Sequence, residues 1–120
     1  MWEVEYTNEF DDWWEGLTEA EQIDVAAVVE LLAERGSNLR FPFSSGIEGS
    51  KVSHMRELRV QHAGYPYRIL YAFDPRRCAI LLIGGKKTGD KRWYEKNIPI
   101  AERLYQEHLI EIEQEGGTNG

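Results

Sequence analysis

Between Met55 and Ile83 the chain runs through three strand-like segments separated by two short turns, which leaves little choice for the rest of the molecule. Met55 to Val60 sets Leu58 and Val60 against Glu57 and Arg59, the period-2 alternation of a strand with one buried face. Tyr67 to Phe73 is the next strand, entered through Ala63-Gly64-Tyr65-Pro66. Asp74-Pro75-Arg76-Arg77 is a turn with proline at a favoured position. Cys78 to Ile83 is almost wholly apolar, as expected at the centre of a sheet. Turns this short predict an antiparallel meander.

The flanks supply helices. Trp2, Val4 and Tyr6 alternate with Glu3 and Glu5, which predicts a short first strand. Thr7 or Asn8 caps a helix whose apolar positions Phe10, Trp13, Trp14 and Leu17 have helical spacing. Thr18-Glu19-Ala20-Glu21 is a capping-box signature for a second helix. Ala20, Ile23, Ala27 and Leu31 form its predicted stripe, and Gly36 its stop. Residues 36–53 read as a loop, long enough to suggest a functional one. Gly84-Gly85 ends the third strand of the meander, and Pro99 suits the first turn of a last helix. The order β-α-α-β-β-β-α predicts an α+β fold, a small antiparallel sheet with two N-terminal helices and a C-terminal helix. The expectation is one face for the helices and the other for Arg59, Arg68 and the basic segment after Gly85. Residues 1–112 form one domain on this reading, and residues 113–120 a flexible acidic and glycine-rich tail.

Composition excludes several classes. With 42% hydrophobic and 29% charged residues in 120, collagen-like, disordered and coiled-coil readings fail. The longest apolar run is far short of a membrane span, and the acidic start does not read as a signal peptide. One cysteine, Cys78, excludes an internal disulfide; in an apolar strand it reads as a small buried hydrophobe. The scattered histidines His54, His62 and His108 lack metal-ligand spacing, and Gly84-Gly85-Lys86-Lys87-Thr88 lacks the upstream glycine of a phosphate loop. No metal or cofactor is expected, and the protein reads as soluble and cytoplasmic.

Charge is unevenly spread. Residues 1–50 hold two basic against twelve acidic side chains, whereas residues 51–100 hold eleven basic against four acidic. A net charge of −7 therefore conceals a basic middle able to meet a polyanion. Arg59, Arg68, Lys86, Lys87, Arg92 and Tyr94 are placed to converge on one face. Such cations bind phosphate and stabilise the extra charge of a pentacoordinate phosphorane. A tyrosine among them is expected to have a depressed pKa and to take a proton from a ribose 2′-hydroxyl. The bland alternative has Arg68 pairing with acidic helix residues and Tyr94 packing at a sheet edge.

The segments Met55-Arg56-Glu57-Leu58-Arg59, Tyr67-Arg68-Ile69-Leu70-Tyr71-Ala72-Phe73-Asp74 and Ile80-Leu81-Leu82-Ile83-Gly84-Gly85-Lys86-Lys87, with Tyr94 and the helix from Ile100, together resemble the RelE/ParE toxin superfamily. The HigB-type, phage-derived branch is the nearer likeness, over about residues 2–110. The resemblance implies the toxin of a type II toxin–antitoxin system: a ribosome-dependent, metal-independent mRNA endonuclease in which the 2′-oxygen attacks the adjacent phosphate. By position it implies that Arg68 holds the scissile phosphate, that Lys87 and Arg59 are basic site residues, and that Tyr94 stacks on a base or moves a proton. Arg56, Lys86, Lys91 and Arg92 would be nucleic-acid contacts. His62 is a candidate contact or proton donor, a solvated loop histidine being the plain alternative. Where the family has a first basic residue before the leucine, this chain has Glu57, which removes a candidate base or charge stabiliser. The implied partners are the ribosome, mRNA and a cognate antitoxin of the helix-turn-helix DNA-binding kind. A ParE-like gyrase inhibitor and an RNA-binding relative without catalysis are the alternatives.

Overall fold

The computed structural model of the protein describes residues 1–118. Strands β1 (Val4–Tyr6), β2 (Ser44–Gly46), β3 (Arg56–His62), β4 (Tyr65–Phe73) and β5 (Ala79–Lys86) form one five-stranded sheet in the order β1-β5-β4-β3-β2. Helices are α1 (Asn8–Glu15), α2 (Glu19–Arg35) and α3 (Trp93–Thr118). The meander β3-β4-β5 is as expected. The sheet as a whole is mixed, because β1 lies parallel to β5 with Val4 opposite Ala79. The predicted loop also contributes more than a loop: a short 3-10 turn at Gly36–Asn38 and the edge strand β2, which pairs Ser44 with Leu58.

Both sheet faces are covered, which corrects the expectation of one open basic face. On one side α1 and α2 bury Phe10, Val25 and Leu32 against Leu58, Ile69 and Leu81. On the other, α3 buries Ile98, Ala101 and Leu104 against Leu70, Ala72 and Ile80. Alternate residues of β4 and β5 thus serve two cores, which is why those strands are so uniformly apolar. Full burial of an aliphatic side chain contributes about 1.5–3 kcal/mol.

Local rules place the N-terminal helices. The Thr7 hydroxyl accepts from the Phe10 amide at 3.0 Å and donates to the Leu82 carbonyl at 2.7 Å, fastening α1 to β5. The Thr18–Glu21 capping box forms in both directions. The buried face of α2 is Val25, Val28 and Leu32, not the predicted stripe, and Ile23 is 63% exposed.

The last helix begins at Trp93 rather than near Pro99, and Pro99 sits inside it. Trp93 is the cause. Its indole lies buried against Gly85, where a Cβ would approach Trp93 Nε1 to 2.5 Å. Farther along, His108 Nε2 lies 2.9 Å from the buried Asp74 carboxylate, and the Tyr105 hydroxyl donates to the Phe73 carbonyl at 2.8 Å. Burial pushes the Asp74 carboxyl up, but His108, Arg76 and the Cys78 amide outweigh it and hold it below the ordinary value. The helix runs on to Thr118, through residues expected to form the tail; residues 119–120 of that tail lie outside the described residues. Among the described residues no helix is long and apolar enough to cross a membrane.

Candidate phosphate site around Glu57

Strand register assembles the site. Arg59 lies opposite Arg68, and Arg68 opposite Gly85, so β3, β4 and β5 present one row of positions to the α3 side. Glu57, two residues before Arg59, faces the same way. Because Gly85 has no side chain, the Trp93 indole packs closely against β5, and the hydroxyl of the next residue, Tyr94, reaches Glu57.

Glu57 is the centre of what results. Tyr94 Oη donates to Glu57 Oε1 at 2.5 Å, and Ser45 Oγ donates to Oε2 at 2.8 Å. Arg59 Nη1 is 3.1 Å from Oε2, and Arg68 Nε is 3.5 Å from Oε1. The Lys87 ammonium lies 5.0 Å from the centre of the Tyr94 ring. The Glu57 and Arg68 side chains are each 5% exposed, whereas Arg59 is 27% exposed. Arg68 Nη1 donates to the Tyr67 carbonyl, while Arg68 Nε is buried without a hydrogen-bond acceptor. A buried guanidinium with an unused donor is costly unless an anion completes it.

The four residues singled out as catalytic candidates, Arg59, Arg68, Lys87 and Tyr94, are therefore neighbours. The electrostatics differ from the expectation for Tyr94. Burial pushes its phenol up, and the hydrogen bond and charge of Glu57 push it further, while Arg68 pulls it back without compensating. Tyr94 is a proton donor held in its neutral form, not a phenolate.

The remaining candidates scatter. Arg56 points to the opposite face, where its Nε donates to Ser44 Oγ at 3.0 Å, and Ser44 meets the Tyr71 hydroxyl at 2.6 Å. Lys86 also lies on the α1/α2 side, its ammonium 4.0 Å from the Tyr65 ring centre. His62 is held there by Asp24, Nδ1 to Oδ2 at 2.7 Å. Neither Lys86 nor His62 belongs to the Glu57 cluster. Lys91 lies on an open cleft lined by Tyr65, Pro66, Lys87 and Tyr94, adjoining the cluster. Arg92 is exposed beside Glu95 at 4.0 Å. Sequence reasoning missed Glu57, treated only as a lost base, although its i, i+2 relation to Arg59 put it on the shared face. It also missed Ser45 and Phe41; the Phe41 ring lies 5.0 Å from Arg59 Cζ.

Residues 12–106 match the family model of the phage-derived Gp49-like proteins. The chain is 42% identical over 106 residues to the proposed toxin HigB3 of Mycobacterium tuberculosis, covering 88% of this chain and 90% of that protein. It is 39% identical over 103 residues to the proposed toxin HigB2 of the same organism, covering 84% of this chain and 51%, about half, of that longer protein. In fold it is similar to a chain of the archaeal RelE–RelB complex from Pyrococcus horikoshii OT3, with a TM-score of 0.54 at 16% identity over 73% of this chain and 97% of the other. The chain belongs to the phage-derived Gp49-like family, in its HigB type, and has a RelE-like fold.

Proposed function

We propose that the protein is a toxin that cleaves messenger RNA on the ribosome, and that the Glu57 cluster is its active site. One observation carries the reading: Arg59, Arg68 and Tyr94, from two strands and the start of a helix, gather around a single buried carboxylate, with Lys87 from the segment after β5 against the Tyr94 ring. In the resting protein Glu57 occupies the place of an anion. When RNA docks, Arg59, Arg68 and Lys87 take the scissile phosphate, and Glu57 is left facing the ribose.

The chemistry then closes. The Glu57 carboxylate accepts the 2′-hydroxyl proton as the 2′-oxygen attacks phosphorus. The guanidiniums and the ammonium hold the charge that gathers on the phosphoryl oxygens, the largest contribution in sites of this kind. The bond to the 5′-oxygen breaks, and neutral Tyr94 supplies that oxygen's proton. Glu57 returns a proton to Tyr94 through their shared hydrogen bond, restoring both groups. Proton transfer by a positioned group contributes roughly 10²–10⁴-fold. A cognate antitoxin, a DNA-binding protein of the helix-turn-helix kind, would restrain this activity. Cover over the Glu57 cluster is one way, packing on the acidic N-terminal helices the other.

The test is primer-extension mapping of transcripts after induction. Expected are cuts within codons of translated messages and none in untranslated copies. Arg68→Ala and Tyr94→Phe should each lower cleavage and growth arrest about 100-fold while the protein stays folded. Growth arrest with intact message and damaged DNA would overturn the reading in favour of gyrase inhibition.

A further inference from the structure

Phe41 belongs to neither core of the protein. It is 70% exposed, more than any other aromatic side chain among the described residues. The segment that carries it is well fastened: Leu39 is buried, the Phe43 and Ser44 amides both donate to the Arg40 carbonyl at 3.1 Å, and the Phe43 carbonyl accepts from the Arg59 amide at 2.8 Å. A ring held outward by so anchored a turn is not a side chain that failed to find the core. It is also next to the site. Arg59 Cζ lies 5.0 Å from the Phe41 ring centre, and the same guanidinium binds Glu57 at 3.1 Å. Phe41 packs on the arginine that binds Glu57 Oε2 and Tyr94 binds Oε1, so each ring has a cation against it. An aromatic face with an arginine beneath it, next to a cluster of cations, is the arrangement that single-stranded nucleic acid uses: backbone to the cations, base to the ring.

We propose that Phe41 is a stacking platform for a nucleobase adjoining the phosphate held by Arg59 and Arg68. The proposal rests on the RNA-cleavage reading of that site. Stacking on a ring is tolerant of base identity, so Phe41 orders the backbone for attack rather than choosing the sequence.

The experiment is a double-mutant cycle on ribosomes programmed with a short message. Single-turnover cleavage and binding are measured for the wild type, Phe41→Ala, Phe41→Leu and Phe41→Trp. Each is tested on intact message and on messages abasic at the nucleotide on either side of the cut. Phe41→Ala should lower kcat/KM roughly 5- to 150-fold on intact message, and Phe41→Trp should preserve it. Phe41→Leu, which still packs on Arg59 but has no flat face, should remain impaired. On one of the two abasic messages the difference between the wild type and the Phe41→Ala variant should vanish. A penalty equal on all three messages would mean that Phe41 acts only by propping Arg59, and would overturn the proposal. So would unchanged cleavage combined with lost antitoxin binding, which would assign the ring to the partner protein. If cleavage is absent but the cycle persists in binding, the stacking role stands and the nuclease reading alone fails. Absence of RNA binding by the wild type overturns both.

Discussion

Replacing Glu57 by glutamine should destabilise the protein, and a second substitution should partly restore it. The Arg68 guanidinium is 5% exposed, and its anionic neighbour is the Glu57 carboxylate, 3.5 Å from Nε. At that separation and an effective dielectric of about 20, the attraction is about 5 kcal/mol. Glu57→Gln keeps an acceptor oxygen for only one of Tyr94 and Ser45, turns the other oxygen into a donor and leaves a buried positive charge, a defect that costs about 3–5 kcal/mol. Arg68→Met is expected to cost less, about 1–2 kcal/mol, because Glu57 still has Arg59, Tyr94 and Ser45. The double variant Glu57→Gln/Arg68→Met should therefore be more stable than Glu57→Gln alone. Inorganic phosphate should rescue Glu57→Gln, by about 2.7 kcal/mol at a hundred times its dissociation constant, while stabilising the wild type less. Urea denaturation followed by tryptophan fluorescence reads all of this, since Trp93 packs beside the site. A double variant weaker than Glu57→Gln, or phosphate that stabilises every variant equally, would refute the view that Glu57 stands where a phosphate binds.

Two further outcomes follow from the same geometry. Gly85→Ala places a Cβ 2.5 Å from Trp93 Nε1, so Trp93 must move and carry Tyr94 with it; about 1–3 kcal/mol of stability and most RNA cleavage should be lost. The Tyr67 hydroxyl donates to Glu21 at 2.5 Å, which raises Tyr67 to about 12 and, with the Thr18 cap, lowers Glu21 to about 2. The tyrosine's contribution is complete below pH 10 and fades between about 10 and 12, while that of the glutamate is complete above pH 4.5 and fades as pH falls toward 2. Urea midpoints across pH should show both losses in the wild type, and Tyr67→Phe should remove the alkaline one.

What could be read in the sequence is what short-range rules decide. Thr7 and Thr18 announce helix starts because their hydroxyls answer amides three residues on. The meander follows from two tight turns and one apolar strand. Non-local contacts decided the rest. β2 exists because Ser44 meets Tyr71, and α3 starts early because Gly85 admits Trp93. The face of α2 was misread because its apolar residues surround most of the helix, so spacing does not select Val25 over Ile23. The site shows the same division. Arg59 and Arg68 share a face by strand alternation. Lys86 and Lys87 exchange sides because of a bulge: Tyr71 pairs with Leu81 but Leu70 with Ile83, so Leu82 is an extra residue and the alternation inverts beyond it. That insertion sends Lys87 to Tyr94 and Lys86 to Tyr65. Glu57 was legible as a neighbour of Arg59 and was passed over because it breaks a run of cations.

The most direct test of the account is the chemistry of the RNA ends made by purified protein on programmed ribosomes. Attack by the 2′-oxygen predicts a 2′,3′-cyclic phosphate upstream and a free 5′-hydroxyl downstream. A message with a single 2′-deoxynucleotide at the cut should remain whole. A 5′-phosphate on the downstream fragment, or cleavage of the deoxy message, would contradict a site in which Glu57 takes the ribose proton.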